Sequence, residues 1–493
     1  MDRRVYEDEE HSSIVHSLKE NKKNQIKGGF LNMKKLFVMF LALAVFGTSA
    51  ALNAATRSTD LGDAIQGAYF NARNAATFVS VVNTSSTYGV LAKVRFREGK
   101  YSNETLDFVV CLSAGDRWTF LIYGDDDPDT PARVYLWDDD TVTYPGSDAF
   151  DGGVPFSTAG GTCVTDDMAK EGEFEIIGLR AWNENTAQQN NVDIDSPEKC
   201  YDFAEVCYGT QKAEDWCVDT GEPPITPEDV PNVLFSEVRI YDLSNIDSGN
   251  IRTYAYNTWN YEDCNPSGYD STPVAFGADS YPMWGNCDGG IDAVNVALTK
   301  TEAYATYDLE SMLAGNSGAI IAFPTKRETL LDSAAQHTMF NLDCDVIDEC
   351  YWTEDNCTEC IDVARWDDEE NNPTTPTCEF SPCEPEEFQF CLPYQINYIT
   401  YDGNPALLNT ILDTDLDVNG YDLGWLKFNF RLDTASSATR YIVDADASPD
   451  SVRVYGMPVI GFELNSIFSG TGADTSNMLE MKYVVEDNAT SSN

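Results

Sequence analysis

From Ala76 onward the chain runs in short stretches of β-branched and aromatic residues, each stopped by Gly, Asp, Asn, Ser or Pro, and this punctuation most constrains its fold. Thr77–Asn83, Gly89–Arg97, Leu106–Leu112, Trp118–Tyr123 and Arg133–Trp137 follow one another in this way, and Lys93-Val94-Arg95-Phe96-Arg97 alternates polar and apolar residues. A period of 2 turns one face of each strand to a core and the other to solvent, so the expected fold is all-β, mainly antiparallel, with β-sandwich-like regions. Strand signals recur at Gly172–Leu179, Val233–Tyr241, Ile251–Asn257, Ala319–Phe323, Gly424–Phe430, Val452–Tyr455 and Pro458–Leu464. Between them, Asp292–Leu313 reads as a helix, because Ala, Val, Leu and Tyr recur there at mixed spacing.

The organisation expected from these signals is an N-terminal β-sandwich region over residues 56–230, then a second β region over 231–342 and 392–493. The second region is interrupted at 343–391 by a cysteine-rich, acid-rich insertion with little core of its own. Pro223–Pro227 is the best linker. Ahead of the strands, Met33-Lys34-Lys35, the apolar run Leu36–Phe46 and the small residues that follow read as a secretory signal peptide over 33–55, too short to span a bilayer. Residues 1–32 are then expected to be an upstream extension, with translation starting at Met33.

The 82 acidic residues against 31 Lys and Arg give a net charge of -51; loss of residues 1–55 removes 8 basic and 6 acidic side chains and leaves -53. With 42% hydrophobic and 12% aromatic residues this is not a disordered acidic tail. Such a charge repels phosphate backbones and anionic bilayers, so nucleic acid and membrane surfaces are excluded as partners and cations are favoured. Two acidic runs flank one strand, Asp125-Asp126-Asp127-Pro128-Asp129 and Asp138-Asp139-Asp140. A third, Asp415-Leu416-Asp417-Val418-Asn419-Gly420, has oxygen ligands at positions one, three and five of a calcium-loop pattern and Gly at six. Leu426 stands where the bidentate Glu belongs. Asp125, Asp126, Asp127, Asp129, Asp138, Asp139, Asp140, Asp415, Asp417 and Asn419 are therefore candidate Ca²⁺ ligands. Solvated acidic turns and an acidic surface adapted to salt are the alternatives.

All 14 Cys follow the leader, which is consistent with an oxidising compartment and disulfides. Cys111 with Cys163 and Cys264 with Cys287 are the expected pairs, and Cys344, Cys350, Cys357 and Cys360 are further disulfide candidates whose connectivity spacing cannot give. Cys357–Cys360 has CxxC spacing, but no second CxxC follows it, and Ile361 stands where haem attachment needs His. No catalytic residue is expected. His337 is the only histidine after the leader and has no nucleophile elbow beside it, and carboxylate pairs are too abundant in this composition to single one out. Trp182, Trp216, Trp259, Trp284, Trp352 and Trp366 lie in polar, turn-rich contexts, as loop aromatics that stack on sugars or bury at interfaces, or that plug small cores.

Three segments together, Val82-Asn83-Thr84-Ser85 through Phe108–Trp118, Phe323-Pro324-Thr325-Lys326-Arg327, and Gly456–Phe462, resemble a group of uncharacterised secreted or cell-surface bacterial proteins. The resemblance implies a shared β scaffold and an extracellular role, and carries over no catalytic residues. The Phe323–Arg327 segment reads as a strand ending at a Pro followed by two cations in structural ion pairs. The expected function is a non-enzymatic extracellular structural protein, a coat, filament or matrix subunit stabilised by calcium and contacting copies of itself or other surface proteins. A glycan-binding adhesin is the alternative and a secreted hydrolase the third.

Overall fold

The computed structural model describes residues 61–137, 141–144, 150–156, 164–189, 200, 230–242, 247–251, 253–256, 298–309, 316–331, 340, 346–347, 351–352, 358–367, 387–404, 406–418, 420–430, 456–469, 473–480 and 482–484. These belong to one compact unit, Asp60–Asn493. Its strands are β1 Ala64–Asn71, β2 Ala75–Asn83, β3 Tyr88–Glu98, β4 Glu104–Leu112, β5 Arg117–Tyr123, β6 Arg133–Leu136, β7 Val142–Tyr144, β8 Val154–Pro155, β9 Glu171–Asn183, β10 Leu234–Asp242, β11 Asp247–Ile251, β12 Tyr254–Tyr256 and β13 Thr299–Lys300. They continue as β14 Glu302–Asp308, β15 Asn316–Ala322, β16 Val346–Ile347, β17 Tyr351–Trp352, β18 Glu359–Asp367, β19 Glu387–Leu392, β20 Ile396–Tyr401, β21 Asp413–Leu416, β22 Leu423–Asn429, β23 Met457–Pro458, β24 Ile460–Ser469, β25 Ala473–Glu480 and β26 Lys482–Val484. Among the described residues two six-residue α-helices accompany them, α1 Glu184–Gln189 and α2 Lys326–Leu331.

The expected all-β, mainly antiparallel architecture is what the chain adopts. Sheet A runs β11-β10-β2-β5-β6-β8 and sheet B β12-β1-β9-β3-β4-β7; sheet C runs β21-β20-β15-β24-β25 and sheet D β19-β18-β22-β14-β26. Among the described strand pairs only β20 with β21 is parallel. Sheets A and B enclose a core of Val79, Val81, Phe96, Trp118, Phe120, Phe174 and Ile176, in which the Phe96 ring meets Phe70, Phe108, Phe120, Phe156 and Phe174. Gly67 is required beneath this cluster, because a Cβ there would stand 2.1 Å from the Phe174 ring.

Sheet C divides its two faces between two cores. Ile320, Ala322, Ile396, Tyr398, Ile460, Phe462 and Leu464 join the core of the first sandwich, whereas Ala319, Ile321, Ile399 and Tyr401 pack with Leu426, Phe428 and Val363 of sheet D. Alternation explains this: a strand buried on both faces contributes successive residues to different layers.

Several boundaries differ from expectation. The first sandwich does not end at 230, because β10 and β11 complete sheet A and β12 completes sheet B. Leu234 and Ile240 of β10 pair with Asn83 and Thr77 of β2, more than 150 residues away, and sheet membership set at that range leaves no local mark. The expected helix at Asp292–Leu313 is instead strand at β13 and β14, where Ala303, Ala305 and Tyr307 alternate inward. Within the 343–391 insertion, β18 lies between β19 and β22 in sheet D and buries Ile361 and Val363, so this stretch supplies core. Pro223–Pro227 lies outside the described residues.

Cys111 pairs with Cys200, not with Cys163, at a Cα separation of 6.0 Å, tying β4 to the segment beyond α1. Cys360 pairs with Cys391, its direct cross-strand neighbour, locking β18 to β19 and removing Cys360 from any CxxC metal pair. In the chain-entropy model, closing spans of 89 and 31 residues stabilises the fold by roughly 4–5 and 3–4 kcal/mol. Cys163, Cys264, Cys287, Cys344, Cys350 and Cys357 lie outside the described residues.

Candidate functional site

The acidic loop after β5 caps itself. Asp127 N–H donates to the Asp125 carboxylate at 3.2 Å and Asp129 N–H to that of Asp127 at 3.1 Å, which are turn-forming bonds of aspartate to backbone two residues on. A cation does lie inside the loop, and it is Lys170: fully buried, its ammonium donates to the Asp125 carbonyl at 2.8 Å and to the Asp127 carbonyl, 3.7 Å from the Asp125 carboxylate. Asp126 and Asp129 are exposed. The chain thus places its own charge where the sequence suggested a metal.

The second predicted loop behaves similarly. Asp415 lies within β21 and accepts the Gly403 N–H at 2.8 Å and the Thr400 hydroxyl at 3.3 Å. Asp417 stands 3.6 Å from Arg365. The carboxylate that gathers this loop is Asp402, which accepts Val418 N–H at 2.6 Å and Gly420 N–H at 2.7 Å. Asp138, Asp139, Asp140 and Asn419 lie outside the described residues. Among the described residues no group of three or more His, Cys, Asp or Glu is placed to hold a metal ion.

Of the two roles open to the turn-context tryptophans, the described ones take the buried one. Trp182, Trp352 and Trp366 are 1%, 2% and 6% exposed, the first and last within strands β9 and β18. Trp216, Trp259, Trp284 and His337 lie outside the described residues. Of the cations of Phe323–Arg327, buried Lys326 lies over the rings of Trp352 at 5.1 Å and Phe323 at 5.8 Å and donates to the Pro393 carbonyl at 3.4 Å. Burial lowers its pKa to about 8. Arg327 donates to the Tyr101 carbonyl and the Asn103 side chain, both at 2.9 Å.

Two aromatic strips lie instead on the sheet faces turned away from the cores. On sheet A, Phe78 is met by Trp137 and Tyr241, each at 5.3 Å and edge-on, with Leu121, Tyr123 and Tyr135 at outward positions of β5 and β6. Tyr123 is 38% exposed. Arg117, Arg133 and Arg239 share this face, with Glu237 as the acid among them. On sheet D, Trp366 and Trp425 stack at 3.7 Å and Tyr304 lies 6.1 Å from Trp425. This face carries Glu302, Asp308 and Asp362 against Lys427, which pairs with Glu302 at 2.7 Å. The signal for both strips was present in the sequence as aromatics at the outward phase of alternating strands, a phase normally polar.

A third cluster is wholly buried. Glu171, Glu173 and Glu175 alternate along one face of β9, with Phe174 and Ile176 facing the core between sheets A and B. Arg73 holds Glu171 at 2.9 Å, and Thr410 and Ile411 N–H from the second sandwich donate to the same carboxylate at 2.6 and 3.0 Å. Arg97 approaches Glu175 at 3.7 Å. Glu173 accepts from neutral donors, Ser102 at 2.9 Å, Gln395 of the second sandwich at 3.2 Å and Gln66 at 3.5 Å. Burial, then the neighbouring Glu175 charge, push Glu173 up to about 7, and burial also raises Glu171 and Glu98.

Comparisons with protein-family models, curated proteins and solved structures return no match to this chain. Among the described residues no helix is long and apolar enough to cross a membrane.

Proposed function

We propose that this protein is a secreted, non-enzymatic structural subunit that associates head to tail with copies of itself at the cell surface. The observation carrying the proposal is the pair of aromatic strips on the outward faces of sheets A and D, around Phe78 and Trp425. Phe78, Trp137, Tyr241, Tyr304 and Trp425 are half-buried, and such aromatic rings on a sheet face offer large contact area at small entropic cost. Their surroundings are complementary: arginines predominate on the face of A, and carboxylates on that of D. A contact between two different faces is heterologous and generates open assemblies when its rotation does not close. Calcium enters as a bridge between exposed acidic surfaces of neighbouring copies, because the described loop carboxylates spend oxygens on backbone N–H groups and cations of their own chain.

The test is sedimentation and electron microscopy of the purified full chain and of Trp137→Ser and Trp425→Ser variants. Concentration-dependent assemblies in the wild type, lost in either variant alone, are expected, and a mixture of the two variants should stop at dimers, because each keeps one intact face. A wild-type chain that stays monomeric at all accessible concentrations, with and without millimolar Ca²⁺, overturns the proposal. Glycan binding lost on Trp137→Ser without assembly would move the same aromatic face to the adhesin reading.

A further inference from the structure

The buried carboxylates of β9 lie where the first sandwich meets the second, and the bonds that cross there are specific. Gln395 N–H donates to the Lys100 carbonyl and Ile396 N–H to the Gly99 carbonyl, both at 2.8 Å, so the β3–β4 hairpin is stitched to the start of β20. Arg327 grips the tip of the hairpin, and Asn71 donates to the Asn409 carbonyl at 2.9 Å. Glu98 holds the hairpin in shape by accepting N–H groups of Lys100, Tyr101 and Asn103. At the centre is Glu173, bonded at once to the hairpin through Ser102 and to the second sandwich through Gln395.

The charges around Glu173 do not balance. From β9 it faces Glu171 and Glu175; from β1, Gln66 and Tyr69; from β3, Arg97 directly opposite it and Arg95 opposite Glu175; from β12, Tyr256, whose hydroxyl donates to Gln66 at 2.7 Å; and from the second sandwich, Gln395. Arg73 is committed to Glu171 and Asp167, while Arg97 approaches Glu175 and donates to the Ser102 carbonyl at 2.8 Å. Arg95 is held by Glu104, so among the described residues the cations of this face are engaged by other groups. Glu173 takes its bonds from neutral donors in a site sealed from water, and its negative charge is relieved by a proton or by opening the joint.

We propose that the junction between the two sandwiches is a proton-operated latch, closed while Glu173 is protonated and loosened when it ionises. The inference is independent of self-association. Glu173, raised above its unfolded value, keeps its proton in the closed joint and loses it once hydrated; closure is favoured in full below the unfolded value of 4.5 and weakens until pH passes about 7. The raised values of Glu171 and Glu98 act in the same direction.

Amide hydrogen exchange of the purified full chain reads the latch at Gln395, Ile396 and Ile411, whose N–H groups cross the joint. Corrected for intrinsic exchange, their protection should fall at least about tenfold between about pH 5 and pH 8, with a ceiling near two orders of magnitude. Amides of β3 and β9 inside the first sandwich should keep theirs, and Glu173→Gln should remove most of the fall. Protection that is flat across this range, a fall shared equally by the core strands, or an undiminished fall in Glu173→Gln overturns the proposal. Should Glu173→Gln fail to fold, infrared difference spectra of the wild type decide: a carboxylic-acid band titrating near neutrality supports the latch, and its absence overturns it.

Discussion

Two acidic regions of this molecule invite comparison, the Asp125–Asp129 loop and the Glu171–Glu175 strand. The loop packs four aspartates into five residues and proves to be an ordinary turn whose charges face water and whose carbonyls enclose Lys170. The strand spaces three glutamates two apart and buries all of them at the join between sandwiches. Dense charge in a short segment favours solvent, because like charges can be kept apart and hydrated there. Charge at every second position is presented on a single face, and a second layer can cover that face if partners are supplied.

The largest test of this contrast is Glu171→Ala. It leaves Arg73 with Asp167 as its one carboxylate partner among the described residues and removes bonds to Tyr69, Thr410 and Ile411, so thermal unfolding should show a loss of about 3–5 kcal/mol. Next is the pH dependence of global stability. Carboxylates raised on folding stabilise fully below their unfolded value, so stability should fall by about 3 kcal/mol between about pH 4.5 and 7 from Glu173, a slope visible in denaturant melts. Lys170→Met should cost about 2 kcal/mol through the orphaned carbonyls of Asp125 and Asp127, measured by the shift in unfolding midpoint. The double change Asp126→Asn with Asp129→Asn should alter stability by less than about 0.5 kcal/mol. Smallest of all, EDTA should leave the melting temperature of the monomer unchanged; a drop of several degrees would break the contrast by revealing a resident cation.

The alternating runs of β2, β3, β4 and β5 made the sandwich class legible, since a period of 2 is a local property of the chain. The same alternation places Phe78, Trp137 and Trp425, whereas a polar, turn-rich context does not mark exposure, since Trp182 and Trp366 lie buried within strands. Gly172-Glu173-Phe174-Glu175 reads from sequence as a strand with a solvated face. What reverses that reading is Gln395, Thr410 and Ile411, more than 200 residues away.

By itself the sequence determined strands, turns and an acidic, cysteine-bearing composition, because backbone geometry and side-chain polarity act over a few residues. Tertiary structure alone decided that β10–β12 close the first sandwich, that Cys111 meets Cys200, and that Lys170 fills the acidic loop. It also decided that three glutamates are dry. Each of these depends on which distant segment covers a given face, and the free energy of a charge is set by that cover rather than by its neighbours in the chain.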